Sequence, residues 1–248
     1  MNAVTRPTTG AEYAVAICAE ESDRRCRATF QQLVLEFSRP GDALLDFGAG
    51  PGLDAHCYAE HGRRVVTYDV DVDMSRYLET YCREFIAAGS VTPWHAAYRQ
   101  FLEADEVPGG RFALITANFA PLNLIDDVTG LFRRFATLAA PDGLVLASVL
   151  SPYYAGDARY VWWWRNAARL CVQGRYAVPG ASSNIWRRTP ADFARACKPH
   201  FHLAQAWAGN RTGVPGRASW LHLARCRYMF LLFRRAGTSP QGRAARRA

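Results

Sequence analysis

A chain of 248 residues, half of them hydrophobic and 21% charged, has enough apolar sequence to bury a sizeable core and is too short for two full domains. That composition excludes a disordered chain. The polar opening from Met1 to Gly10 and the lack of any apolar run near the ~20 residues of a membrane helix lead us to expect a soluble cytoplasmic protein with no membrane partner.

The formal charge of +8 would suit nucleic acid, but Lys198 is the only lysine and the arginines are dispersed, so a nucleic-acid partner is disfavoured. Arg243, Arg246 and Arg247 fall in a Gly/Ser/Pro/Ala stretch, 237–248, expected to be a flexible basic tail. The seven cysteines are odd in number and scattered, with no CxxC pair and no Cys/His grouping at zinc-ligand spacing; reduced thiols and no metal are expected.

In chain order, residues 11–38 have helical character and are expected to form one opening helix before Pro40-Gly41. Residues 42–150 then alternate short apolar runs with amphipathic segments, the pattern of a parallel sheet flanked by helices. The expected strands are 43–47, 64–68, 91–95, 112–117 and 144–150. Gly62 closes the helix after the first strand, Asp71 or Asp73 caps a helix running to Ala88, and a helix near 128–139 leads to a turn at Pro141-Asp142-Gly143. Residues 152–188, rich in Tyr, Trp and Arg, read as a lid insertion. Thr189-Pro190-Ala191-Asp192 starts a helix, and strands at 201–208 and about 228–233 end a single domain of 1–236.

The first strand runs straight into Asp46-Phe47-Gly48-Ala49-Gly50-Pro51-Gly52, a backbone suited to bringing amides against a ligand. The spacing is GxGxG, and Leu53 stands where the dinucleotide fingerprint GxGxxG has its third glycine, so an NAD-dependent oxidoreductase is disfavoured. At the end of the second strand stands a second carboxylate, Asp69, a bidentate acceptor.

These residues resemble motif I, and Val66 to Met74 resemble motif II, of the class I S-adenosylmethionine-dependent methyltransferases. The resemblance spans about residues 12–235 and is strong over 43–74. It implies a Rossmann-like, doubly wound α/β fold with a mostly parallel seven-stranded sheet, an antiparallel last strand, a helical N-terminal cap and the aromatic lid after strand five. It implies S-adenosylmethionine as cofactor, with S-adenosylhomocysteine as product. Asp46, Gly48, Ala49, Gly50 and Gly52 are expected to hold the methionine end, Asp69 the ribose, and Val70 and Met74 the adenine. Ala97 and Tyr98 replace the acid that many relatives carry after strand three, and Asn118 and Phe119 border the methionine moiety at the mouth of strand four.

Methyl transfer from a sulfonium is an in-line displacement that needs positioning more than acid or base. The catalytic residues are accordingly open, with His95, His222 and Tyr13 as candidate bases. Tyr13, Asn123, Tyr153, Trp163, Trp186 and Arg187 are the candidate acceptor contacts. The expected reaction methylates an O or N atom of a small-molecule metabolite, with an aromatic one suggested by the lid, in a monomer or homodimer. The alternatives are a nucleic-acid methyltransferase, against which Asn118-Phe119-Ala120-Pro121 stands where base-methylating relatives have a Pro-Pro-aromatic motif, and a non-catalytic cofactor-binding partner subunit.

Overall fold

The computed structural model describes residues 9–179, 184–209 and 224–237; the candidate base His222 and nearly all of the 237–248 tail lie outside them. Helices α1 (Gly10–Ala19) and α2 (Glu21–Phe37) precede β1 (Ala43–Phe47), α3 (Leu53–Glu60), β2 (Arg64–Asp69), α4 (Val72–Tyr81), α5 (Arg83–Ala87), β3 (Val91–His95), α6 (Tyr98–Glu103) and β4 (Phe112–Ala117). Helix α7 (Val128–Leu138), β5 (Ala139–Leu150), α8 (Val161–Gln173), β6 (Arg175–Pro179), β7 (Asn184–Arg188), α9 (Pro190–Ala196), β8 (Phe201–Ala208) and β9 (Tyr228–Arg235) follow.

Seven strands form one sheet in the order β3-β2-β1-β4-β5-β9-β8. Strand β1 is parallel to β2 and to β4, β2 is parallel to β3, and β9 is antiparallel to both β5 and β8. The parallel part is what the alternating pattern predicts, and the Rossmann-like seven-stranded sheet with its last strand reversed is what the family resemblance implies. Among the described residues no helix is long and apolar enough to cross a membrane.

The chain divides into two compact units at Asn118. In the first, β1 is the central strand, and Leu44, Leu45 and Phe47 are buried. Helix α2 covers its own part of the core with Cys26, Phe30, Leu33 and Val34, the i, i+4, i+7, i+8 stripe of an amphipathic helix. Its C-terminal carbonyls are held by Arg63, which is 6% exposed. Arg63 donates from Nη2 to Leu35 O at 3.1 Å and Ser38 O at 2.9 Å, and from Nε to Ser38 Oγ at 3.1 Å. One guanidinium thus satisfies groups that a helix end leaves unpaired and fixes α2 to the start of β2.

In the second unit, β5 and β9 pair from Leu144↔Arg234 to Leu150↔Tyr228, and β8 joins β9 with an irregularity between Leu203 and Gln205. Helix α7 buries Val128, Leu131, Phe132, Phe135, Ala136 and Leu138, and the Phe132 ring meets Phe233 at 4.8 Å and Phe201 at 5.9 Å. The segment 152–188 contains a 3-10 turn at Ala155–Arg159, α8 and a β6–β7 hairpin in which Ala177 faces Trp186.

Three local expectations are corrected. The opening helix breaks at Glu20, whose ψ of 127° is extended, and Arg24 Nη1 donates to Cys18 O at 2.9 Å to satisfy the broken end. The helix expected to reach Ala88 breaks at Cys82, which is fully buried with its Sγ directed at Gly52 O. The fifth strand, expected at 144–150, begins at Ala139 and so takes in Pro141-Asp142-Gly143, where the chain still turns as expected: a Cβ on Gly143 would come 2.8 Å from Ala140 O.

Replacing Arg63 with alanine strands those buried carbonyls, so Arg63→Ala is expected to lower unfolding free energy by about 2–3 kcal/mol in urea denaturation, with Arg63→Lys recovering only part.

Candidate functional site

The loop after β1 is tied to the end of β2 by main-chain and carboxylate contacts. Gly48 N and Ala49 N both donate to Tyr68 O, at 2.8 and 3.1 Å. Gly50 N donates to Asp69 Oδ2 at 2.7 Å, while Asp71 N donates to Asp69 Oδ1 at 2.9 Å. Gly52 (φ +82°) starts α3, and a Cβ there would come 2.7 Å from Leu78 Cγ and 3.2 Å from Cys82 Sγ, so both its backbone angle and its packing exclude a side chain. At Gly50 (φ +55°) a Cβ would meet nothing within 4 Å: the space beside the middle glycine is open.

Asp46 is 2% exposed. Its Oδ1 accepts from Thr116 Oγ1 at 2.8 Å, and its Oδ2 has no hydrogen-bond partner among the described residues. Burial, and then the nearby Asp54 carboxylate, push its pKa up to about 7. Asp54, in the first turn of α3, accepts from Gln31 Nε2 at 2.8 Å and Asn118 Nδ2 at 3.0 Å and pairs with Arg27 Nη1 at 3.1 Å. Asp69 is also raised by burial, opposed by the amides of Asp71 and Gly50. Tyr13 of α1 is raised chiefly by burial, with Arg27 opposing, so its phenol stays protonated near neutrality.

In the first unit Tyr13 and Asp46 therefore each feel the charges of Asp54 and Asp69, and the glycine loop and Asn118 are hydrogen-bonded to Asp69 and Asp54. Val70 is 54% exposed and Met74 half-buried, beside the cap that Asp71 provides to α4 by accepting from Asp73 N and Met74 N. Asp73 is not a cap. His95 is exposed, its Nδ1 3.1 Å from Asp69 O and 3.4 Å from Ser75 Oγ, which holds one ring nitrogen against the protein. The Ala97 amide donates to Gln100 Oε1 at 3.0 Å and its carbonyl accepts from Phe101 N, so both serve the start of α6; the Tyr98 ring stacks on Phe101 at 6.4 Å.

In the second unit, Phe119 (φ 57°) and Ala120 (φ 69°) hold left-handed backbone, an unfavourable conformation for a bulky side chain, and the Phe119 ring meets Tyr228 edge-on at 5.4 Å. Asn123 corrects its expected role. It is fully buried, accepts from Leu150 N at 3.0 Å and donates to Trp186 O, so it is a clamp between segments and not a contact for an acceptor. Trp186 donates its indole N–H to Asp126 and lies against the Arg188 guanidinium at 4.8 Å. Arg187, 9% exposed, donates to Ser151 O at 3.0 Å and pairs with Asp157 at 3.1 Å. Those contacts occupy much of the fork that a bound anion would use. Tyr153 and Trp163 are half-buried, Trp163 edge-on to Trp164 at 4.9 Å.

Four side chains at the first unit's site were not singled out by sequence: Arg27, Gln31, Asp54 and Thr116. Arg27 and Gln31 are one helical turn apart on α2, and Asp54 follows the glycine loop directly, which is a readable signal for a shared face and a loop neighbour. Nothing in the spacing says that they meet.

No curated protein matches the chain. Solved structures do. The CcbJ methyltransferase of Streptomyces caelestis is 17% identical, over 87% of this chain and 90% of that one, with a TM-score of 0.61. The 1,6-didemethyltoxoflavin-N1-methyltransferase of Burkholderia thailandensis, solved with 1,6-didemethyltoxoflavin and S-adenosylhomocysteine bound, is 17% identical over 91% and 86%, with a TM-score of 0.59. Magnesium protoporphyrin IX methyltransferase from Synechocystis, with bound S-adenosylhomocysteine, is 18% identical over 87% and 85%, with a TM-score of 0.56. At such identities the likeness is one of fold. A family model described as a methyltransferase domain matches residues 19–177, more than half of the sequence, and on that match the chain belongs to the methyltransferase-domain family.

Proposed function

We propose that this protein transfers the methyl group of S-adenosylmethionine to an O or N atom of a small-molecule acceptor. The observation that carries the reading is the buried Asp46 carboxyl, whose Oδ2 lacks a partner, beside an open glycine loop that is anchored by a second carboxylate. A buried acceptor left without a donor is destabilising unless a ligand supplies one. The cofactor's amino group is such a donor.

The residues fit the cofactor in type and order. Asp46 would hold the amino group, the loop from Gly48 to Gly52 would lie under the methionine end, and Asp69, whose two oxygens have lone pairs beyond those used by Gly50 and Asp71, would accept from the ribose hydroxyls. Val70 and Met74 would border the adenine, with Tyr98 near its edge. The sulfonium supplies an activated methyl group. What the chain contributes is alignment: the glycine loop is fixed by Tyr68 O and Asp69, and Asn118 is fixed by Asp54. Tyr13, kept as a neutral phenol, can hydrogen-bond an acceptor but is a poor base near neutrality. A small-molecule acceptor is supported by the toxoflavin and porphyrin methyltransferases that share the fold.

Titration calorimetry is expected to show micromolar binding of S-adenosylmethionine and S-adenosylhomocysteine and none of NAD. Asp69→Ala should weaken both by at least about tenfold, the order expected when a charged hydrogen-bonding partner is removed. Binding of NAD alone, or of neither sulfur nucleoside, refutes the reading.

The pH dependence has a definite sign. Below about pH 7 Asp46 is mostly protonated and must release that proton to accept an ammonium group, so affinity for S-adenosylhomocysteine should fall by about tenfold per pH unit below pH 7 and level off above it. Proton release measured in buffers of different ionisation enthalpy should vanish in Asp46→Asn. For the ligand-free fold, a carboxyl raised above its unfolded value near 3.9 gives stability that is complete at low pH and lost as pH rises through about 7. Asp46→Asn should therefore raise the Tm of the ligand-free protein at about pH 8, and do so less at about pH 5.

A further inference from the structure

Helix α8 carries an apolar stripe that is exposed among the described residues. Val161 is 72% exposed, Trp164 63% and Val172 85%. Ala168 and Cys171 are exposed between them. At about 100° per residue these five positions fall within an arc of about 100°, and they extend over about 17 Å of helix. The opposite side of α8 is the packed one: Asn166 is buried, Trp162 meets Tyr176 at 6.2 Å, and Leu170 is half-buried. The stripe is therefore a second apolar face on a helix that already has one.

Among the described residues of α8 and the elements that adjoin it in sequence, the exposed charges are arginines. Helix α8 contains no acidic residue, and Arg165 and Arg169 are exposed on one flank of the stripe. The neighbouring elements add Arg159, exposed with its guanidinium 4.8 Å from the Tyr160 ring, and the exposed Arg175 of β6. The one carboxylate of the adjoining 3-10 turn, Asp157, is turned inward to Arg187. The Trp164 indole N–H donates to Ala158 O at 2.8 Å, so the exposed part of that ring needs no polar partner.

We propose that α8 is a docking face for an anionic lipid bilayer, with Val161, Trp164 and Val172 entering the headgroup boundary and Arg165 and Arg169 meeting lipid phosphates. A convex helix with a narrow apolar arc, a tryptophan on it and arginines at its edge fits the interface of a membrane without spanning it. A second copy of the chain fits less well. Two such helices packed along their stripes would set Arg165 and Arg169 against the same arginines of the partner, with no carboxylate on either helix to offset them. The proposal is independent of the methyl acceptor and of the cofactor.

The test is flotation of the full chain with vesicles of phosphatidylcholine alone and of phosphatidylcholine with phosphatidylglycerol, at low and at high salt. Because the whole chain is basic, the decisive variants keep the charge: Trp164→Ala and Val172→Ser, both at exposed positions and each checked for an unchanged thermal melt. The expected result is at least tenfold stronger binding to the anionic vesicles, weakened by salt, and at least a fivefold loss in either variant. Equal binding by the variants and the unaltered chain would overturn the proposal, as would no preference for anionic vesicles. A dimer in light scattering that dissociates in Val172→Ser, with no lipid binding, would assign the face to a second copy instead, and capture of an acidic amphipathic peptide without lipid binding would assign it to a protein partner.

Discussion

The contact on which the site depends is the Asp69 carboxylate, which accepts from Gly50 in the loop after β1 and from Asp71 in the turn after β2. Parallel strands have no hairpin to join their ends, so the loops that leave them must be brought together by something else. Here one side chain does it. With Tyr68 O receiving Gly48 and Ala49, it holds the glycine backbone in a left-handed path whose exit is fixed by packing of Gly52 on Leu78 and Cys82. The break between α4 and α5 at Cys82 belongs to the same arrangement, since an uninterrupted helix would have to carry that residue past the loop it supports.

The same region also holds a costly electrostatic arrangement. Asp46 and Asp54 are both buried, and only Asp54 is neutralised, by Arg27 and by the amides of Gln31 and Asn118. Asp46 keeps a single hydroxyl donor from Thr116 and consequently holds its proton into the neutral range. A fold selected for stability alone would have an apolar residue at such a position. Under the proposed function, a carboxyl retained there is preorganised for the cofactor's amino group at the expense of the ligand-free state.

The second unit solves a different problem with similar means. Asn123, Arg187 and Arg188 are buried polar residues whose partners are mostly main-chain carbonyls and amides: Leu150 N and Trp186 O for Asn123, Ser151 O for Arg187, and Ile125 O and Asp126 O for Arg188. They fasten the β6–β7 hairpin to the 3-10 turn at 121–124 and to the end of β5, which places the aromatic segment by hydrogen bonds. Asn123 and the Arg187–Asp157 pair belong to this scaffold, which is why side chains whose types suggest acceptor recognition turn out to be engaged elsewhere.

What could be read from the sequence is what short-range chemistry controls. The strand, GxGxG and helix of residues 43–60, the carboxylate closing β2 and the Thr189 cap of α9 follow from hydrophobic period, glycine placement and capping residues, each of which acts over a few neighbouring positions, whereas the reversal of the last strand is implied only by the family resemblance. The tertiary structure decided which distant groups meet. Gln31 and Asp54 are 23 residues apart, Asn118 and Asp54 64, and Thr116 and Asp46 70, and no local pattern encodes such pairings. It also decided where helices stop, at Glu20 and Cys82, because those breaks answer to an Arg24 contact and to the packing of Cys82 beneath Gly52, not to helix propensity. The site's residue types are thus a property of the chain, while their charge states are a property of the fold, since burial and partners set a carboxyl's proton affinity and both arise only when the sheet has formed.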